Sequence, residues 1–240
     1  MANTEVSLIL TCYNEGPTFE VSVKRIISQM QKIKTKWEII FVEDKSTDET
    51  KKSVELLVAK IKNSRAIYHL QNQGRGKSVS DGIRSARGKY CGYMDVDCEV
   101  SPIFVPLFLK ELEMGFDMVV GNRFYESGFK SFHRFVASKL YALSVKIILG
   151  LPIEDTEVGF KFFRRSKILP ILSKVKNRRW FWDTEICARA WWADLKIAQA
   201  PVLFVRRREK KSTVKLFADS IDYAVKLMKL RSQIPKKYNG

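Results

Sequence analysis

Short apolar runs rich in β-branched residues alternate with amphipathic helical patterns through the first half of the chain, and that alternation leaves few architectures open. The runs are Val6 to Tyr13, Trp37 to Val42, Ala66 to Leu70 and Tyr90 to Met94. Between them, Phe19 to Ile33 sets Val23, Ile26, Ile27 and Met30 on one helical face, and Asp48 to Ile61 does the same with Val54, Leu57, Val58 and Ile61. Helices of that length between strands are crossovers, so the sequence predicts an α/β fold on a mostly parallel central sheet. Ser46 and Glu49 have capping-box spacing, which would start the second helix just after Asp44. Ser101 and Pro102 open a further helix that stops near Gly115, and Val119 and Val120 suggest a strand before GNRF.

The second half is less regular. It carries a helical pattern over His133 to Leu149, a strand-like GFKFF, a helix over Trp182 to Trp192 and a last helix over Val214 to Arg231. That last helix aligns Val214, Phe217, Ile221, Val225 and Met228 on one face with lysines beside them. No linker or repeat divides the 240 residues, a length that suits one fairly large domain.

Ligands of parallel sheets sit outside the C-terminal strand ends, and YMDVDCEV places three acids at such an end. On the two-residue period of a strand, Asp95, Asp97 and Glu99 would point to one side. Three hard oxygen donors with no nearby His or Cys suit Mg2+ or Mn2+, although aspartates also end strands because they favour turns. Asn72 to Ser78, NQGRGKS, lies between a strand and a helix, where glycines let backbone amides approach phosphate. Gln71 stands where a Walker A loop needs glycine, so that motif is excluded. Asp44 ends the second strand on the same edge, as a ligand or as a turn residue.

Composition narrows the partners. Lys and Arg total 43 against 26 Asp and Glu, a net charge of +17, which implies polyanionic company: nucleic acid, phosphorylated substrates or an acidic membrane surface. Cys12, Cys91, Cys98 and Cys187 form no CxxC pair, and His69 and His133 lie far apart, so a structural zinc site is not expected and the thiols read as reduced. The N-terminus reads as a strand rather than a signal peptide, and Arg134, Lys139 and Lys146 interrupt the best spanning candidate, Phe132 to Ile153. A cytoplasmic protein is expected.

Taken in order, TCYNE at Thr11 to Glu15, VEDKSTDET at Val42 to Thr50, NQGRGKS and YMDVDCE resemble the nucleotide-sugar half of family 2 inverting glycosyltransferases of the GT-A fold. Further on, VVGNRF, EDTEVGFKFFRR and WDTEICARAWWADLKIAQAPVLFVRRREKKS are similar to the acceptor half of the polyprenyl-phosphate branch, typified by dolichol-phosphate mannose synthase. The resemblance implies a nucleotide-sugar half over about 1–122, an acceptor half over about 123–213 and a basic helix and tail over about 214–240. It implies Asp95, Asp97 and Glu99 as the metal and diphosphate site. It assigns Thr11, Tyr13, Glu15, Asp44, Gly74, Arg75 and Gly76 to the donor, with Arg75 where the family usually has lysine. Arg123 and Arg134 match arginines near the acceptor phosphate or donor, Asp155 the acid of the DxxxGF segment, and Asp183 and Glu185 the acidic pair before the last strand. Arg207 and Ser212 remain from a family tail whose glycine and final lysine are missing here, and NRRW at Asn177 to Trp180 has Lys176 where processive synthases have glutamine.

The implied reaction moves a sugar from a UDP- or GDP-linked donor to a polyprenyl (dolichyl) phosphate on the cytoplasmic membrane face, the protein touching anionic lipid peripherally. An ionised phosphate acceptor needs little help from a base, whereas a sugar hydroxyl would need a carboxylate to take its proton, Asp155 first and then Asp183. A nucleic-acid binder would explain the charge and the aromatics around Trp180 but not the acids; a nucleotidyltransferase making sugar nucleotides would share the layout and release diphosphate.

Overall fold

The computed structural model describes residues 4–125, 132–206 and 216–238, the side chains of 132–138 and 216–221 excepted. Seven strands form one sheet in the order β3-β2-β1-β4-β6-β5-β7. These are β1 (Val6–Cys12), β2 (Trp37–Glu43), β3 (Ser64–Tyr68), β4 (Tyr90–Met94), β5 (Met118–Tyr125), β6 (Phe160–Arg164) and β7 (Ile197–Phe204). The first four run parallel, joined by α1 (Phe19–Met30), α2 (Thr50–Lys60) and α3 (Arg75–Ser85), as the alternating pattern implies. β6 lies antiparallel between β4 and β5 and stitches the two halves together. Its alternate residues Phe160 and Phe162 pack with Phe108 of α4 (Val105–Glu113), ring centroids 4.7 and 5.6 Å apart.

α5 (Phe132–Leu149), α6 (Arg165–Leu172), α7 (Trp182–Trp192) and α8 (Leu216–Arg231) complete the fold. A second apolar cluster, separate from the sheet core, joins Val145 and Leu149 of α5, Ala188 and Trp192 of α7, and Leu227 and Leu230 of α8.

Several local expectations are corrected. α2 begins at Thr50, not just after Asp44. Ser46 and Glu49 do not form a cap: the Ser46 hydroxyl accepts from the Asn14 amide, and Asp48 Oδ1 accepts from the Thr50 amide at 3.0 Å. β5 continues through GNRF instead of ending before it. β4 ends at Met94, so Asp95 to Glu99 occupy a turn, with Cys98 at φ 54° and Asp97 Oδ1 accepting from the Glu99 amide at 3.2 Å. Strand alternation therefore does not aim the three acids. On α8, where the sequence left the covering of the apolar stripe open, Val225 and Met228 are 47% and 57% exposed, while Leu227 and Leu230 are buried. The Phe217 and Ile221 side chains and Val214 lie outside the described residues.

Candidate active site

Because β1, β2 and β4 are parallel, their C-terminal ends share one edge, and the chain gathers its charged side chains there. Asp44 follows β2 and is buried. Its Oδ1 accepts from the Gln73 amide at 2.7 Å and its Oδ2 from the Gly74 amide at 2.8 Å. His69 bridges it to α3, with Nδ1 2.7 Å from Asp44 Oδ1 and Nε2 3.1 Å from Asp81 Oδ2. Asp44 thus spends its oxygens inside the protein, holding the turn that launches α3. Gly74 takes φ +92°, and a Cβ on Gly76 would stand 2.3 Å from Trp182 Cβ, so close packing against Trp182 accounts for Gly76. Trp182 in turn donates its Nε1–H to Ser80 Oγ at 2.8 Å, fastening α7 to α3.

Arg75, the first residue of α3, cross-links the site. Its Nε and Nη2 donate to Asp95 Oδ1 at 2.9 and 2.6 Å, and its Nη1 to Asp183 Oδ2 at 2.5 Å. The guanidinium carbon lies 5.1 Å from the Trp180 ring centroid and 5.3 Å from that of Tyr93. Burial alone would lower the Arg75 pKa, but the Asp183 and Asp95 carboxylates push it well above its ordinary value. Asp183 also accepts from Lys161 Nζ at 2.7 Å and from the Tyr93 hydroxyl; Lys161 is fully buried and reaches Tyr93 Oη at 3.0 Å. Asp183 is therefore the hub of a buried network.

Gly159 makes room for Asp95. The Asp95 amide donates to the Gly159 carbonyl at 3.0 Å, and a Cβ on Gly159 would fall 1.8 Å from Asp95 Oδ2. Burial raises the Asp95 pKa, Arg75 offsets this, and the Asp97 charge raises it again. Among the described residues no three His, Cys, Asp or Glu side chains form a metal-holding group, so Asp95, Asp97 and Glu99 do not make a triple cage. The residues still fit a hard divalent cation: Asp95 and Asp97 repel each other, a cation between them relieves that repulsion, and Mg2+ commonly takes only one or two carboxylates beside substrate phosphates.

At the far side, Arg123 of β5 grips Asp155 with Nε to Oδ2 at 2.6 Å and Nη2 to Oδ1 at 2.8 Å, under the rings of Tyr125 and Phe204. Burial would raise the Asp155 pKa, but Arg123 outweighs it and holds the carboxyl below its ordinary range. A carboxylate so engaged is a weak proton acceptor. Two residues on, Glu157 is pushed up to about 7, first by burial, with Asp155 and Asp183 adding to the rise against Arg123 and a hydrogen bond from Tyr223.

The remaining expected residues divide. Tyr13 is exposed and Thr11 and Glu15 half-buried at the end of β1, where Glu15 Oε1 accepts from the Tyr13 amide at 3.2 Å. Glu185 is buried and binds the Lys176 and Asn177 amides and Arg189, bracing the loop before α7. The Arg134 side chain, Arg207 and Ser212 lie outside the described residues. Sequence reasoning missed Lys161, Tyr93, His69, Glu157 and Gly159. A lone lysine between the phenylalanines of GFKFF was the available signal for the first.

The profile of Glycosyl transferase family 2 matches residues 7–171. Glycosyltransferase AglD of Haloferax volcanii is 29% identical over 206 residues, 84% of this chain and 33% of that protein. The dolichyl-phosphate beta-glucosyltransferase of Dictyostelium discoideum is 28% identical over 249 residues, 95% of this chain and 74% of its own. The chain thus spans a third of the first relative and about three quarters of the second. Glucosyl-3-phosphoglycerate synthase from Mycobacterium tuberculosis, solved with Mn2+, UDP and glucosyl-3-phosphoglycerate, superposes with a TM-score of 0.71 at 19% identity, covering 97% of this chain and 81% of that one. The likeness establishes the GT-A fold, and with the profile covering well over half of its residues, the chain is a glycosyltransferase belonging to family 2.

Proposed function

We propose that the chain transfers a hexose, with inversion, from a UDP- or GDP-linked donor to a polyprenyl (dolichyl) phosphate at the cytoplasmic face of a membrane, using Mg2+ or Mn2+. The observation that carries the reading is the Asp95 and Asp97 pair set beside Arg75 and the start of α3, where a diphosphate leaving group can be held. The dolichyl-phosphate relative supports the acceptor class and makes glucose the first sugar to test.

Asp95 and Asp97 would hold the cation, which neutralises charge on the departing nucleotide, a contribution of several kcal/mol. Arg75 fixes the Asp95 rotamer through two hydrogen bonds, and Asp183 and Lys161 fix Arg75 in turn. Asp44 holds the turn from which α3 and Arg75 start. A phosphate monoester with a second pKa near 6 is already ionised at neutral pH, so no base is needed, in keeping with Asp155 being engaged as the clamp on Arg123. Arg123 then stands oriented as the cation for the acceptor phosphate.

The membrane contact would come from α5 and α8. Leu140, Leu143 and Ile147 of α5 and Val225 and Met228 of α8 are exposed, with Lys146 and Lys229 beside them.

The test is a thermal-shift panel of UDP- and GDP-sugars with and without Mn2+, followed by product analysis with a short polyprenyl phosphate. One donor should raise the melting temperature only with metal, and the product should be a polyprenyl phosphosugar. Metal-independent binding would sink the cation assignment; a glycosylated hydroxyl as the sole product would sink the acceptor.

A further inference from the structure

The transfer reaction uses the sheet edge where β1, β2 and β4 end. At the opposite edge, where β1 and β4 begin and β6 ends, a separate cleft of about 320 Å³ opens around Gly88. Thr4, Glu5, Arg87, Lys89, Arg165 and Ser166 line it. Lys89 and Asp95 flank the two ends of β4, so at about 3.3 Å per strand residue the cleft lies about 20 Å from the cation site.

Local structure gathers the cations. Gly88 lies so close to β1 that a Cβ there would fall 2.7 Å from the Tyr90 carbonyl oxygen and 2.8 Å from the Ser7 nitrogen, and its own amide donates to Ser7 Oγ at 2.9 Å. Arg87 and Lys89 are therefore held on either side of a pinned glycine. The Tyr90 amide donates to the Glu5 carbonyl at 2.9 Å and the Arg165 amide to the Lys89 carbonyl at 3.0 Å, which ties the approach to β1, the turn before β4 and the start of α6 into one wall. α6 begins at Arg165 with no side-chain cap, so its amino end adds positive potential.

The protein supplies these cations with little counter-charge. Among the described residues, none of Arg87, Lys89 and Arg165 forms an ion pair. Glu38, which accepts from the Arg87 amide, pairs with Arg65 at 2.9 Å, and Asp117 pairs with Arg164 at 3.4 Å. Glu5 is the one acidic side chain lining the cleft and is exposed. Residues 1–3, which precede Thr4, are Met, Ala and Asn and carry no carboxylate. Arg165 Nε is closed off from solvent with no acceptor among the described residues. Burial pushes the Cys91 thiol beside it up to about 12, so that neighbour is uncharged. A guanidinium left without an acceptor in a half-buried place is costly, and one anion in the cleft gives all three cations a partner.

We propose that this cleft is a second anion site, taking a phosphate monoester between Arg165, Arg87 and Lys89. Three cations against one acid suit a dianion, which a phosphate monoester mostly is at neutral pH. A free phosphate and the head group of a phosphomonoester lipid present this same chemistry. The site is independent of the sugar acceptor, and no bond is made or broken in it.

The test measures melting temperature at pH about 8 in EDTA, with inorganic phosphate titrated against chloride at constant ionic strength. Phosphate should raise the wild-type value. The double variant Arg87→Ser, Lys89→Ser changes two exposed side chains, so it should melt like the wild type in chloride yet need at least about tenfold more phosphate for half the rise. Arg165→Lys keeps the charge and loses the planar fork, so its midpoint should move the same way. The response to nucleotide sugar with Mn2+ should be the same in the double variant as in the wild type, because the donor binds at the other edge.

Flotation separates the two sources, using phosphatidylcholine vesicles that carry phosphatidic acid or an equal charge of phosphatidylglycerol. A wild type that prefers phosphatidic acid, with the preference lost in the double variant, supports the site with a lipid head group as its ligand. No preference, with the melting response intact, supports it with a free phosphate. A wild type that gains nothing from phosphate over chloride, or a double variant with the wild-type midpoint, overturns the proposal and leaves the transfer reading standing.

Discussion

Gly159 and Asp95 face each other across the β4–β6 junction, and the absence of one side-chain carbon there lets a carboxylate approach the backbone. Gly159→Ala would place Cβ 1.8 Å from Asp95 Oδ2 and 2.7 Å from Arg75 Nη2, so both must shift. The overpacking costs about 1–3 kcal/mol of stability, but a displacement of about 1 Å at the reacting centre costs about a hundredfold in rate. Gly159→Ala should therefore melt only modestly lower while kcat falls by about two orders of magnitude; a normal kcat would separate Asp95 from the chemistry. Asp97 lies in a half-exposed turn, so Asp97→Asn should abolish transfer and leave the circular dichroism spectrum unchanged, whereas turnover in the metal-loaded variant would count against the cation site. Glu157 also links pH to stability. Its pKa rises from 4.5 to about 7 on folding, so its contribution is full below about 4.5 and is lost as pH climbs through about 7, a change of up to about 3 kcal/mol. Chemical denaturation across that window should show this loss in the wild type and a smaller one in Glu157→Gln.

At the scale of the element, β6 and α7 are joined through Lys161 and Asp183, both almost completely buried. Lys161→Met keeps the length of the side chain and removes the charge, leaving the Asp183 carboxylate and the Tyr93 hydroxyl without that partner in a closed space. Breaking a buried pair in this way costs about 3–5 kcal/mol, so the variant should show a large fall in melting temperature; a loss below about 1 kcal/mol would mean that Arg75 and Tyr93 suffice to satisfy Asp183. The same pair shows where a sequence stops being readable. The parallel half was legible because crossover periodicity is local: α1 buries Val23, Ile26 and Met30 as its spacing requires, and α7 spans the residues its pattern marked. The start of α2 was not, because Asn14, more than thirty residues away, takes the Ser46 hydroxyl that a capping box would have used. Asp95 and Arg75 were visible as motif positions, but their contact was not, and nothing near Asp183 in sequence announces Lys161. The apolar stripe of α8 was legible but its covering was not, because a stripe says that a surface is wanted, not which surface is near. Tyr223, Leu227 and Leu230 meet α5 and α7, which leaves Val225 and Met228 exposed.

The exposed Val225 and Met228 acquire meaning only for the molecule as a whole. No described helix is long and apolar enough to cross a membrane, yet α5 and α8, packed together, present exposed Leu143, Ile147, Val225 and Met228 beside exposed lysines on a chain of net charge +17. Each basic residue near an anionic lipid surface contributes roughly 1 kcal/mol, and each apolar side chain that enters the interface adds its own transfer energy. Neither contribution is large alone, so binding should depend on both. The purified protein should float with vesicles containing anionic lipid at low salt, float less with neutral vesicles, and lose part of its binding as salt shortens the Debye length from about 30 Å at 0.01 M to about 8 Å at 0.15 M. The double variant Ile147→Asp, Met228→Asp changes two exposed positions, 69% and 57% accessible, so it should melt close to the wild type while floating poorly even at low salt. A wild type that stays at the bottom of the gradient with anionic vesicles at low salt, or a double variant that floats as well as its parent, would show that this face is not the membrane contact, and the proposed lipid-phosphate acceptor would need another route to Arg123.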